Sequence, residues 1–242
     1  MTGVDAAGIA RTLPAWSLAF VEPGSERIAS LPERWRPIAL ADRPEARYRL
    51  ARSLWNQDFL ALLPRFAAAM DARCVDVRAC LTDACAALVY VMADEGGGLV
   101  SWVGYDPRSF GPEPEFWPAF PEPLRDFLRG VHAGFVSGGD GTSFGLARPV
   151  HMTTLAEFAD FPEGIPGWDE DQIDSTRLLR VTSDGGNLHY CLSPELAPGE
   201  IALVDAGEVD PGDCGAALDE LMVSHFAPST RGPGADGREC PR

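Results

Sequence analysis

Two residues on a predicted strand are the first candidates for chemistry. His189 and Cys191 are two positions apart, so their side chains would lie on the same face of that strand. A histidine beside a cysteine can act as base and nucleophile if a third group orients the histidine. Without such a group, packing in the core is the preferred interpretation of Cys191. A small enzyme that uses this pair is therefore the least favoured of three functions.

The most acidic stretch of the chain is the second candidate. It runs Trp168-Asp169-Glu170-Asp171-Gln172-Ile173-Asp174, and alternating acids of this kind can hold Ca²⁺ or Mg²⁺. The stretch lacks the glycine and the final glutamate of an EF-hand loop. A charge run is usually solvated surface, but an aromatic residue beside acids also suits a protein interface. We predict an interface here and no metal.

Motifs of familiar enzyme classes are missing. None of the four histidines belongs to an HExxH or lies near a GxSxG, and no P-loop or GxGxxG follows a strand. The six cysteines form no CxxC pair, and three of them are spaced too loosely for a zinc knuckle. We predict no catalytic residue, no metal and no cofactor.

The negative charge is concentrated in one part of the chain. The formal charge is −16, and residues 120–226 hold 19 acidic residues and 5 arginines, whereas residues 1–119 hold 15 and 12. Such a field repels nucleic acid and anionic membranes and speeds encounter with a basic protein. Solubility alone can also explain an acidic chain. The confinement of the charge favours a basic protein partner.

Length and hydropathy predict a cytoplasmic globular protein. The chain has 242 residues, of which 45% are hydrophobic, enough for one large or two small domains. Asp5 stands where a signal peptide needs positive charge, and the apolar run from Leu13 to Val21 is short and contains Pro14. No apolar run approaches the roughly 20 residues of a membrane span.

The second half of the chain predicts the element order α, β, α, β, β, β, α. Phe120 to Phe135 has apolar residues at helical spacing and ends near Gly134. Pro149 to Phe161 predicts a short strand and a helix, with Glu157 placed for a capping box with Thr154. A hairpin from Leu178 to Ser193, a strand from Ile201 to Val204 and a closing helix from Cys214 to Phe226 follow.

The first half predicts a smaller α+β unit. Trp16 to Val21 indicates a buried strand, and the chain turns helical from Pro44, with Pro64 expected to kink or split the helix. A glycine-rich hairpin is centred on residues 94–98. The proline-rich segment from Pro107 to Pro123 is the best boundary. We therefore predict an N-terminal α+β domain over 1–110, a second domain over 111–227 and a disordered tail over 228–242.

Four of these pieces together resemble the SUKH superfamily of bacterial immunity proteins and fungal cell-wall regulators, over about residues 119–226. Members begin with Phe/Leu-Pro and a helix with a Phe-Leu pair, as in Phe120-Pro121 and Phe127-Leu128. They continue with a segment like Pro149 to Phe158, a glycine-rich hairpin and a last helix. The resemblance implies a SUKH-like mixed sheet flanked by helices.

What the resemblance implies for function is an immunity protein that neutralises a cognate toxin by steric and electrostatic blocking. The charge favours a basic toxin of the nuclease type. A regulatory scaffold module is the alternative, and the oligomeric state is not predicted. The candidate interface residues are Trp168, Asp169, Glu170, Asp171 and Asp174, with Glu208, Asp210 and Asp213 expected on a loop before the last helix.

Overall fold

The computed structural model describes residues 4–14, 16–137 and 144–226. These ranges form an α+β protein, which confirms the predicted class. The predicted disordered tail lies outside the described residues. The α-helices of the described ranges are α1 (Ala6–Thr12), α2 (Arg36–Leu40), α3 (Pro44–Arg52), α4 (Gln57–Leu62), α5 (Pro64–Arg73), α6 (Glu122–Gly130), α7 (Leu155–Phe158) and α8 (Cys214–Ser224).

Two antiparallel sheets contain the strands, each in the order in which the strands occur along the chain. The sequence predicts a mixed sheet, whereas the strand pairs of the described residues are antiparallel, with short connections at β2–β3, β3–β4, β8–β9 and β10–β11. The first sheet is β1 (Ala19–Phe20), β2 (Cys74–Leu81), β3 (Ala86–Ala93), β4 (Leu99–Tyr105), β5 (Phe135–Ser137) and β6 (Phe144–Leu146). The second is β7 (Thr153–Thr154), β8 (Leu179–Ser183), β9 (His189–Leu192), β10 (Glu200–Asp205) and β11 (Glu208–Asp213).

A backbone hydrogen bond joins the two sheets. The N–H of Ala147, one residue past β6, donates to the carbonyl of Val181 in β8 at 2.9 Å. On the same side of β8, Thr153 and Thr154 of β7 pair with Arg180 and Leu179. One edge of β8 is therefore shared by β7 and the residue after β6, and the two sheets meet along it.

The main hydrophobic core contains residues from both sides of position 110 in the chain. It extends from Ile9 to Phe226, and Phe59 of α4 stacks on Phe127 of α6 with ring centroids 4.0 Å apart. Strands β5 and β6 extend the first sheet, although they follow the predicted boundary. The division into domains at residue 110 stays a prediction, and the packing across it is continuous.

Several local predictions are confirmed. Pro64 splits the predicted helix, because α4 ends at Leu62 and α5 begins at Pro64 itself. Thr154 and Glu157 form the complete capping box of α7. Both glycine-rich hairpins are present, β3–β4 in the first sheet and β8–β9 in the second.

Other boundaries differ from the predictions. Helix α6 ends at Gly130 rather than Gly134. Gly134 lies beyond the helix with a positive φ of 108°, and it is close to Arg148, whose backbone nitrogen would be 2.9 Å from an added Cβ. The predicted loop before the last helix is strand β11, since Ala206 and Gly207 both take positive φ and turn the chain back onto β10. Pro211 is tolerated there because β11 is an edge strand.

A buried carboxylate ties the last helix to α5. Helix α5 has no side-chain cap of its own, and Asp219 of α8 accepts hydrogen bonds from the backbone N–H groups of Arg65 (3.2 Å) and Phe66 (2.8 Å). These are donors that the first turn of a helix leaves without an intrahelical partner. Asp219 is 4% exposed, so the loss of its carboxylate would leave these two N–H groups without a hydrogen-bond acceptor.

We expect Asp219→Ala to destabilise the protein by about 1–3 kcal/mol, the range for losing a helix cap and leaving buried donors unpaired. Denaturant unfolding followed by circular dichroism measures the change. The matched control is Glu220→Ala, because Glu220 is an exposed partner of Arg65 and its loss should cost less than about 1 kcal/mol. Equal effects of the two substitutions would contradict the capping role.

A buried histidine occupies the centre of the aromatic core. The indole of Trp55 donates to the Tyr90 hydroxyl at 3.1 Å, and that hydroxyl lies 2.8 Å from Nε2 of His132. Nδ1 of His132 lies 3.4 Å from the carbonyl oxygen of Tyr105, which can only accept, so Nδ1 carries the proton of the neutral imidazole and Nε2 accepts from the Tyr90 hydroxyl. Burial lowers the pKa of His132 to about 3. Gly104 makes room for the ring, since an added Cβ would lie 2.5 Å from it.

We expect stability to fall as the pH drops from 8 to 5. In the unfolded chain His132 binds a proton near its ordinary pKa of 6.5, whereas in the folded chain it stays neutral, so protonation favours unfolding throughout this window. The effect is roughly 2 kcal/mol for His132 at pH 5. Burial also lowers the pKa of His225, to about 4, and this acts in the same direction.

Urea unfolding at a series of pH values measures this dependence. His225→Asn should reduce the slope between pH 8 and 5. His151→Asn is the control and should leave the slope unchanged, because His151 is exposed. A stability that is flat over this window would contradict the burial of neutral histidines.

Candidate functional site

A cleft of about 570 Å³ lies on one face of the second sheet. Residues 165–169 with Gln172 form one wall, α7 forms another, and the turn between β10 and β11 closes one end. Phe158 and Trp168 supply aromatic surface, and Asp169 and Glu208 supply carboxylates. His189 lines the cleft from β9. The cleft thus combines apolar area with negative charge at one place.

The 164–174 segment is held by its apolar side chains. Ile165, Trp168 and Ile173 pack on a small second core beneath them. The indole N–H of Trp168 donates to the carbonyl of Ile173 at 2.9 Å, which fixes the ring over that core. The core consists of Leu155, Leu178, Cys191, Ala202 and Val204. The segment is therefore a packed cover of the sheet whose acids are left on the outer side.

A side-chain bond fastens the segment to the sheet edge. The backbone N–H of Val209 in β11 donates to Oε1 of Gln172 at 2.6 Å. Since β11 is the outer strand of its sheet, this bond covers one donor of an otherwise open edge. It also brings the two predicted parts of the interface, residues 168–174 and β11, into contact.

The structure places the predicted acids on the surface, in three settings. Asp169, Glu170 and Asp171 are exposed on the segment. Asp174 is exposed too, and its carboxylate accepts hydrogen bonds from the N–H and hydroxyl of Thr176, which lower its pKa. The role of its side chain as the N-cap of the short 3₁₀ helix Ser175–Arg177 was not predicted from the sequence.

The other three acids lie along β11. Glu208 and Asp210 are two positions apart, so they project from the same face of the strand. Asp213 caps α8 and accepts from the N–H of Ala216 at 2.7 Å. Of the predicted set, the cleft brings together Trp168, Asp169 and Glu208, while Asp210 and Asp213 follow farther along the strand.

Arginines do not neutralise this surface within the described ranges. The ion pairs found there use other carboxylates, such as those of Asp71, Asp76 and Glu220, and none uses the seven predicted acids. The charges are therefore available to a partner.

The His189–Cys191 pair has the expected strand geometry but not the electrostatics of a catalytic dyad. Cys191 is fully buried in the second core, and burial raises the pKa of its thiol to about 12. Burial, and then the nearby charge of Arg180, lowers the pKa of His189. Both groups are therefore neutral at pH 7, and the thiolate that attacks in cysteine chemistry does not form. The imidazole packs edge-on against Phe158, with centroids 5.3 Å apart.

Metal ligands do not converge in the described ranges, where no three histidine, cysteine or acidic side chains are grouped to hold an ion. The acidic segment leaves its carboxylates on the surface because its apolar residues, Trp168 and Ile173 among them, pack toward the sheet.

Sequence reasoning missed Gln172, Phe158 and Arg180 as parts of this surface. The guanidinium of Arg180 lies 3.6 Å from the ring centroid of Phe158, which keeps the ring beside the cleft although it is 48% exposed. A lone glutamine within an acidic run is the only signal that could have suggested the bond to β11.

We expect Gln172→Ala to loosen the segment without unfolding the sheet. The N–H of Val209 should then exchange with deuterium at least tenfold faster, because its acceptor is lost. Hydrogen–deuterium exchange of the peptide containing β11 measures this. Asp171→Asn is the matched control, since Asp171 is exposed, and it should leave the rate unchanged. Equal exchange in all three proteins would contradict the fastening role.

Comparison with known proteins adds no relative. No family model, curated protein or solved structure matches this chain. In the described ranges, no helix has both the length and the apolar character to cross a membrane. The resemblance to the SUKH superfamily therefore stays a prediction, and the functional argument rests on the geometry and charge of the surface described above.

Proposed function

We propose that this chain is a protein-binding immunity factor, which neutralises a basic toxin by covering it, without chemistry of its own. The main support is the surface formed by residues 168–174 and β11, which we call the acidic surface. Its segment is anchored by apolar side chains that pack on the second core, and its acids form no ion pair with arginine in the described ranges. It lies beside the aromatic cleft.

The electrostatics of the acidic surface suit a basic partner. Carboxylates held on a packed segment keep their spacing, so their fields add without the cost of ordering a flexible loop on binding. Opposite charge on the partner raises the association rate and makes it sensitive to salt. A toxin that acts on nucleic acid carries such charge, because phosphates are its natural ligands.

The aromatic part of the surface suits a specific contact. Phe158 and Phe161 are each 48% exposed, and Trp168 lies half-buried at the cleft. Aromatic residues flanked by charges provide the large buried contacts that dominate many interfaces. A partner side chain inserted in the cleft would contact Phe158 and Trp168 while its basic neighbours face the acids.

The element order also supports the resemblance to the SUKH superfamily. Helix α6, the capping box at Thr154, the β8–β9 hairpin and α8 occur in the order that the resemblance implies. The first 110 residues would then be an additional N-terminal domain, whose sheet and core continue into the SUKH-like part. A scaffold module remains the alternative function. The number and stoichiometry of the partners distinguish an immunity factor from a scaffold.

We expect the tagged protein to retain one stoichiometric basic partner when it is co-expressed with the product of the adjacent gene. Pull-down at low and moderate salt with mass spectrometry identifies the partner, and calorimetry on the purified pair gives the affinity. Several substoichiometric partners would favour the scaffold function, and no partner at all would contradict the proposal.

The quadruple variant Asp169→Asn, Glu170→Gln, Asp171→Asn and Asp174→Asn should weaken binding on the order of tenfold or more and flatten its dependence on salt. The matched control removes four other exposed acids that form no ion pair in the described ranges: Glu26→Gln, Glu33→Gln, Glu115→Gln and Asp126→Asn. Both variants change the net charge equally, so equal weakening would mean that only the overall charge matters. Unchanged affinity in the first variant would exclude the acidic surface.

A further inference from the structure

A second, smaller pocket of about 200 Å³ lies where the two sheets meet, and its lining has the opposite charge. Arg148, His151 and Arg180 contribute basic groups, Thr182 a hydroxyl and Tyr105 an aromatic ring. No acidic residue lines the pocket. In a chain with a formal charge of −16 this is an unusual local composition.

Arg148 is held against the first sheet. Its guanidinium lies 4.7 Å from the ring centroid of Tyr105. Its backbone and Cγ pass so close to Gly134 that a side chain there would collide with them at 2.9 Å. A guanidinium carries all its donors in its own plane, so stacking on a ring leaves those donors free for a ligand.

Arg180 is held against the second sheet in the same way. Its guanidinium stacks on Phe158 at 3.6 Å, and burial lowers its pKa from the ordinary value. A guanidinium remains charged even so. Two cations are thus positioned by aromatic rings on opposite sides of the junction between the sheets.

Both arginines have unsatisfied donors. The Nε atoms of Arg148 and Arg180 are buried and have no hydrogen-bond partner in the described ranges. Neither side chain takes part in the ion pairs found there, in which Arg47, Arg108 and Arg177 hold carboxylates. Buried donors and charges of this kind are normally satisfied by an acceptor.

We propose that this pocket binds a phosphate group, either as free inorganic phosphate or as the phosphate of a monoester. Two guanidinium groups can each offer a pair of parallel donors to phosphate oxygens, the geometry that arginine uses for this anion. Four oxygens around one phosphorus provide enough acceptors for the donors of both arginines, whereas a carboxylate has two. The volume is below the usual range for drug-sized ligands, so the buried part of the ligand is a small group.

This inference does not rest on the proposed function. The acidic surface would bind a basic protein whether or not the pocket holds an anion, and the two are tested by different ligands.

Isothermal titration calorimetry of the full chain with inorganic phosphate tests the proposal, with sodium chloride of equal ionic strength as the blank. We expect saturable 1:1 binding with a Kd of about 1 mM or tighter. Arg148→Gln and Arg180→Gln should each weaken it at least tenfold. Arg65→Gln is the matched control, because it removes the same charge from an exposed ion pair, and it should bind like the wild type.

Thermal melting verifies that each variant is folded. Arg148→Lys and Arg180→Lys are the second pair of variants, since they keep the charge but lose the planar fork, and they should bind between the wild type and the glutamine variants. Absence of saturable binding, or equal weakening by Arg65→Gln, would overturn the proposal. Acetate binding as tight as phosphate would overturn the assignment to phosphate.

Two further titrations distinguish the source of the phosphate group. A simple monoester, glycerol 3-phosphate, should bind tighter than inorganic phosphate if the natural ligand is a phosphorylated molecule, and weaker if it is the free ion. Either order supports the site, provided that the same two arginines are required.

Discussion

The junction of the two sheets at β8 is the constraint on which the functional face depends. A strand edge is a row of donors and acceptors that must be satisfied once it is covered. Here β7 satisfies one half of the β8 edge, and Ala147, immediately after β6, satisfies the other through Val181. Because part of this edge pairs with the second sheet and part with the end of the first sheet, β8 lies where the two sheets meet. This places Arg180 of β8 beside Arg148, and it sets the sheet face that carries the cleft.

The acidic surface keeps its shape because the residues that carry its charge are different from the residues that anchor it. Neighbouring carboxylates repel each other, and a flexible loop would relieve that repulsion by spreading out. Trp168 and Ile173 oppose this by burying apolar area on the second core, and Gln172 adds a bond to β11. Full burial of one large apolar side chain contributes about 1.5–3 kcal/mol, and Trp168 and Ile173 are each partly buried, whereas two carboxylates about 4 Å apart in water repel by only about 1 kcal/mol. The segment therefore keeps its shape and its charge together.

Much of the local structure was predictable from sequence because its signals are local. Pro64, the Thr154–Glu157 pair and the glycine-rich hairpin turns each act within a few residues, and each was confirmed. Strand β11 was missed because its exposed face is acidic and it contains Pro211, both of which indicate a loop unless the partner strand is known.

Only part of the candidate site could be predicted from the sequence, because some of its contacts join residues that are far apart along the chain. The acidic residues are visible in the sequence, and the structure places them on the surface as expected. The contact of Gln172 with Val209 joins residues 37 positions apart, and no periodicity marks such a pair. The close approach of Arg148 to Gly134 likewise depends on two segments that meet only in the folded chain.

The contact between Arg180 and Phe158 links the two sites on this face. Arg180 lines the phosphate pocket, and the ring on which it stacks lines the acidic cleft. The guanidinium carbon lies 3.6 Å from the ring centroid, so the side chain that lines the pocket also contacts the wall of the cleft. His189 contacts the same ring from the cleft side. Phe158 is therefore packed between a cation on one side and an imidazole on the other, and this packing is common to the pocket and the cleft.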